Sequence, residues 1–174
     1  MGLPRWTADG LLPSGCWPAS LAEVHERLVI DAQHSDTRQV VFYGLQAYLG
    51  QLREFMTRGH LWLDGSFVTR DGQPGAGRDP ALTLAVFPAN LAELELLTGE
   101  RRSRLRRLFT MSDVVIGGDA RTSSYLGAIH PVGFHIAAYL GTDTDKEHWL
   151  RGWAAGHDEE EAALADRGFV ELPW

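Results

Sequence analysis

The heptapeptide "ALTLAVF", Ala81–Phe87, is apolar at every position except Thr83. A strand of that composition hides both of its faces, so it belongs in the middle of a sheet with further structure packed on each side. Upstream, "HLWLD" opens a first strand that reaches Asp64. Between the two runs lies a loop of glycine, proline and charge, which makes them neighbouring strands, with the Gly65–Ser66 turn at the rim of a cleft. At 174 residues and 44% hydrophobic, the chain has enough apolar material for one core, so a single domain spanning 1–174 is expected.

The other elements arrange themselves around these strands. After a proline- and glycine-rich segment, 1–19, "SLAE" from Ser20 to Glu23 has the form of a capping box, and a helix to about His34 is expected. Asp36 caps a second, longer helix, because Val41, Leu45, Tyr48 or Leu49, Leu52 and Phe55 recur at intervals of three and four and make a core-facing stripe that Gly59 ends. Asn90 with Glu93 repeats the capping signal ahead of "LAELELL", Gly99 punctuates, and the arginine-rich segment continues as a helix to Phe109. "DVVIGG" reads as a third strand, "VGFHIAAYL" as a buried helix or a strand, 142–165 as helix around Gly152 and Gly156, and "RGFVEL" as a closing strand. Helices mixed with three or four strands give an α/β or α+β fold, one layer of sheet with helices packed on it.

Charge and cysteine content narrow the function classes. A net charge of -7 argues against a broad basic surface that grips nucleic acid. One local run, "RRSRLRR", holds Arg101, Arg102, Arg104, Arg106 and Arg107. It reads either as a solvated helix face or as a local nucleic-acid contact through Arg101, Arg102 and Arg104. A single cysteine, Cys16, excludes an internal disulfide and points to a reducing compartment, so a cytoplasmic protein is expected. No positioned base accompanies it, and it reads as an incidental thiol. Prolines and glycines break the first eighteen residues, leaving no apolar run of signal-peptide or membrane-spanning length, so no membrane association is expected. His130 and His135, separated by Pro131 and others, fit no zinc spacing.

The chemistry-bearing residues cluster around the first strand's end. Transfer of a phosphoryl or nucleotidyl group needs hard oxygen ligands for divalent ions, and a backbone that can approach phosphate without a side chain in the way. Gly65 leaves its amide accessible, Ser66 adds a hydroxyl donor, and Asp79 stands at the mouth of the second strand.

At this point "LDGSFVTRDGQPGAGRDPALTL" resembles the polymerase-beta-type nucleotidyltransferases, in which Gly-Ser, a loop of about this length and an Asp-x-Asp or Asp-x-Glu pair follow one another. The chain also resembles an uncharacterised bacterial nucleotidyltransferase-like group through "DGLLPSGCWPASLAEVHERLV", "LWLDGSFVT", "HWLRGW" and "RGFVEL". The resemblance implies a nucleotidyltransferase-like mixed sheet, Gly65 and Ser66 on the phosphates of a nucleoside triphosphate, and magnesium held by Asp79 with Asp113 from a neighbouring strand; Asp119 is the second choice. It departs at Ala81, where the second carboxylate of the pair would stand, with Asp71 or Asp64 as substitutes only in an alternative register. Two functions follow. The first is a weak nucleotidyltransferase that moves a nucleotide to a protein, RNA or small acceptor. The alternative is a pseudoenzyme that binds a nucleotide or a protein partner, a component of the toxin–antitoxin or phage-defence modules in which small relatives act.

Overall fold

The structure, a computed structural model, describes residues 2–74, 80–109, 136–147, 149–150 and 167–174. Its centre is a five-stranded mixed sheet in the order β1-β5-β2-β3-β4. These strands are β1 (Cys16–Pro18), β2 (Gly59–Asp64), β3 (Leu82–Pro88), β4 (Ile136–Leu140) and β5 (Phe169–Pro173). β2 runs antiparallel to β3, from Gly59 opposite Pro88 to Asp64 opposite Thr83. It also runs antiparallel to β5, with Leu63 opposite Val170, while β1 and β4 join parallel to β5 and β3. The two apolar runs are therefore adjacent strands, and the run of ambiguous character, "VGFHIAAYL", resolves as a strand over Ile136–Leu140.

Alternation along the strands splits the core in two. Leu61, Leu63, Leu82, Leu84, Val86, Ile136, Ala138, Val170 and Leu172 belong to a cluster with Val24, Leu28, Val41, Leu45, Tyr48, Leu49 and Leu52 from the helices. On the opposite face Trp62, Ala85, Phe87 and Phe169 form a smaller aromatic cluster, with Trp149 against it. The indole of Trp62 donates to Glu171 across the sheet at 2.9 Å, which satisfies the polar end of a buried ring.

The helices are α1 (Leu21–His25), α2 (Ser35–Leu52), α3 (Leu91–Glu95) and α4 (Gly99–Arg107). At α1 the capping box forms as expected: the Ser20 amide donates to Glu23 at 2.7 Å and the Glu23 amide to the Ser20 hydroxyl at 3.2 Å. That hydrogen bonding holds the exposed Glu23 carboxyl below its ordinary pKa. The helix does not run on to His34. It widens into a π turn over Glu26–Ile30, and the groups that would have extended it are taken by tertiary partners. Leu28 O accepts from Arg38 at 2.9 Å, and the Gln33 amide donates to Arg70 O at 2.9 Å.

Three boundaries differ from the sequence reading. α2 is preceded by His34, at φ 59° and without a side-chain cap, in place of Asp36. The same helix ends at Leu52, and Gly59 instead begins β2, where a side chain would collide with Phe87 O at 2.6 Å and with the Trp174 ring. Finally, the N-terminal segment contributes an edge strand, β1, which three residues that follow a glycine and end in Pro18 do not announce. The expected strand "DVVIGG" and most of the expected helix over 142–165 lie outside the described residues; a short 3₁₀ turn over Asp143–Asp145 opens that region.

Candidate functional site

β2 ends at Asp64, and the chain leaves the sheet through Gly65 with φ 106° and ψ -175°, a region open essentially to glycine alone. A Cβ there would stand 2.7 Å from the Ala81 carbonyl oxygen, so glycine is required by both conformation and space. A 3₁₀ turn over Ser66–Val68 follows. The Phe67 amide donates to Ala81 O at 2.9 Å, and this bond docks the turn onto the entrance of β3. The Ser66 hydroxyl reaches the same oxygen at 3.4 Å, beyond the usual range for a hydroxyl donor, so it is only weakly held. The amides of Gly65 and Ser66 donate to no acceptor among the described residues. Two backbone donors and one loosely held hydroxyl are thus gathered at the strand end, an arrangement suited to an anion.

What fixes this turn is Arg38, which no motif singled out. It sits in α2 three residues before Val41, on the buried stripe, and is itself fully buried. Nη1 donates to Leu28 O at 2.9 Å and Phe67 O at 2.7 Å; Nη2 donates to Gly72 O at 2.6 Å, to Thr69 O, and to Ser66 O at 3.3 Å. One guanidinium therefore gathers four carbonyls of the 66–72 loop and one from the π turn. Burial pushes the Arg38 pKa down to about 10, against the opposing pull of Asp71. The sequence signal for it was available: continuing the apolar stripe of α2 backwards lands on a charged residue.

The acidic residues meet different fates. Asp64 is buried and paired with Arg167 at 2.8 Å. Asp71 lies on the outer side of the loop, bound by Arg70 at 2.8 Å and by Gln33 at 2.8 Å, and the Arg70 contact holds its carboxyl below the ordinary value. Both carboxylates of the alternative register are therefore engaged with cationic partners. Ala81, where the second carboxylate would stand, is buried at 1% exposure within the core cluster. Asp79 and Asp113, the expected metal ligands, lie outside the described residues, as do Asp119, His130 and His135. Among the described residues no group of three His, Cys, Asp or Glu side chains could hold a metal ion.

Cys16, on the sheet's edge, has its thiol pushed up to about 11 by burial and by Glu171, so it is protonated and a poor nucleophile at neutral pH. The arginine run forms α4, with Leu105 and Leu108 turned into the core. Arg104 pairs with Glu54, and Arg101 and Arg104 lie over the Phe55 ring. Phe55 O accepts from Asn90, just beyond β3, and the Arg58 carbonyl accepts from Ala89. These residues therefore gather at the Gly59 end of β2. Six residues of extended strand, roughly 20 Å, separate them from Gly65, so Arg101, Arg102 and Arg104 do not share a cleft with the Gly65–Ser66 turn. No helix of the described residues is long and apolar enough to cross a membrane.

A family model described as a family of unknown function, DUF6932, matches residues 4–173. The chain belongs to that family. Comparison with curated proteins and with solved structures gives no match. The family match spans the Gly65–Ser66 turn, Arg38, Ala81 and both strands that flank the loop.

Proposed function

We propose that this protein binds a nucleoside triphosphate, with the phosphates on the Gly65–Ser66 turn, as a member of the polymerase-beta-type nucleotidyltransferase superfamily whose transfer activity is weak. The observation that carries the reading is the turn itself. A glycine in a conformation closed to other residues ends a central strand, its amide and that of Ser66 are uncommitted among the described residues, and the Ser66 hydroxyl is held only at 3.4 Å. Such a strand-end turn offers phosphate a close approach to backbone donors without an intervening side chain. Asp79, two residues before Ala81 in sequence, and Asp113 are the residues that would hold magnesium beside those phosphates.

A second reading, a pseudoenzyme that binds nucleotide without transferring it, is favoured by Ala81. Its side chain is packed in the core, so the position lacks a carboxylate and is also shielded from solvent. Service in a toxin–antitoxin or phage-defence module rests on the resemblance alone.

Calorimetric titration with ATP, CTP, GTP and UTP, each with and without magnesium, tests the proposal. Saturable binding of at least one triphosphate is expected, weakened several-fold by Ser66→Ala. Asp79→Asn should remove whatever magnesium dependence wild type shows. If none of the four binds at millimolar concentration, the nucleotide reading is wrong. Efficient radiolabelling of an acceptor by wild type would reject the pseudoenzyme reading.

A further inference from the structure

α2 buries one face in the core and leaves a second seam of apolar and small residues in solvent. Val40 and Tyr43 are exposed at 55% and 61%, and Ala47 and Gly50, also exposed, continue the line one and two turns beyond Tyr43. The steps from 40 to 43, 47 and 50 alternate three and four, the repeat with which one helix packs lengthwise on another. Nothing inside the chain accounts for Gly50. A Cβ there would meet nothing within 4 Å, and its φ is not positive, so alanine would fit and would favour the helix. Glycine at such a position admits a neighbour closer than a side chain would allow. Charge also changes along the seam. Asp36 precedes Val40 by one turn and Arg53 follows Gly50 by three residues; both are exposed, and neither has an ion-pair partner among the described residues. Glu54, beside Arg53, is already neutralised by Arg104.

We propose that the seam is a self-association surface, on which α2 of a second copy of this chain packs antiparallel about a two-fold axis at the level of Leu45. Val40 of each copy then stands over Gly50 of the other, Tyr43 over Ala47, and Asp36 faces Arg53. Large residues meet small ones, opposite charges meet, and the two helix dipoles oppose. A parallel pair would set Tyr43 on Tyr43, leave a gap at Gly50 and place Asp36 against Asp36, so size and charge select the antiparallel one. The seam from Asp36 to Arg53 is about 26 Å long, and one helix pair of that length covers less than the roughly 800 Å² per partner of a standard interface. A micromolar dimer is therefore expected. The proposal does not depend on the nucleotide reading.

Sedimentation equilibrium of the full chain, from micromolar to millimolar concentration, tests it, with circular dichroism to establish that each variant is folded. Wild type should dimerise in the micromolar range, and Tyr43→Asp should weaken the dimer by about thirtyfold or more. Gly50→Ala separates the interface from the fold: the melting temperature of dilute protein should rise, while dimer affinity falls by about tenfold. Asp36→Arg and Arg53→Asp should each weaken the dimer several-fold, and the double reversal should restore it to within about threefold of wild type. A wild type that stays monomeric at millimolar concentration overturns the proposal. So does a dimer that Tyr43→Asp leaves intact, because its interface would lie elsewhere. Undiminished dimerisation of Gly50→Ala would reject the close approach, and a double charge reversal no better than the single ones would reject the antiparallel pairing. Should Tyr43→Asp fail to fold, Gly50→Ala and the charge reversals decide the matter, since alanine has room at 50 and both charged residues are exposed.

Discussion

The two ends of β2 use arginine in opposite ways. Beyond Asp64, a single fully buried Arg38 ties four carbonyls of one loop to a π turn in another element. Around Gly59, a run of five arginines rides on α4, with Arg104 paired to Glu54 and Arg101 and Arg104 laid over Phe55. The crowded end is conspicuous in the sequence, and the solitary one is not. The contrast shows that the amount of charge is a poor guide to its structural weight. Water already solvates the α4 arginines, so their contacts replace little, whereas the buried Arg38 has exchanged its hydration for backbone acceptors.

Substitution at Arg38 should produce the largest effect. Arg38→Met strands carbonyls of Leu28, Phe67, Thr69 and Gly72, and a loss of about 3–5 kcal/mol is expected in urea denaturation. A loss under about 1 kcal/mol would mean that water replaces the guanidinium, and the contrast between the ends would collapse. Next comes Gly65→Ala. Forcing a side chain to φ 106° and against Ala81 O at 2.7 Å should cost about 2–3 kcal/mol and weaken triphosphate binding with it. Its counterpart at the other end sharpens the comparison. Gly99 also has a positive φ, 57°, but a Cβ there meets nothing within 4 Å, so Gly99→Ala should cost only about 1 kcal/mol. The smallest effect belongs to Arg104→Ala, which removes an exposed ion pair worth about 0.5 kcal/mol, and less in high salt. If Arg104→Ala proved as damaging as Arg38→Met, the two ends would have to be treated alike.

Several elements could be read from residues alone for identifiable reasons. The Ser20–Glu23 capping box and the apolar strands at β2, β3 and β5 depend on neighbours in sequence or on strict burial, and both leave a local trace. By contrast, the end of the first helix was set by Arg38 and Arg70, partners far along the chain, so no local pattern could place it. β1 escaped notice because its pairing with β5 supplies what its three residues lack. At the candidate site, Gly65 and Ser66 were legible as a turn. The pairing of Asp64 with Arg167 joins residues from opposite halves of the chain and left no signature. Asp79 and Asp113 stand as sequence-based expectations outside the described residues.

The strand order has a consequence for biosynthesis. β5 is inserted between β1 and β2, with Val170 opposite Leu63 and Phe169 opposite Cys16. A ribosome that has made everything up to residue 168 has therefore released β2 with one ladder of amides and carbonyls unmatched, flanked by Leu61 and Leu63. Such an edge is adhesive toward other chains. Sheet closure must wait for residues 169–173 to emerge, and until then the open edge of β2 can pair with a wrong strand.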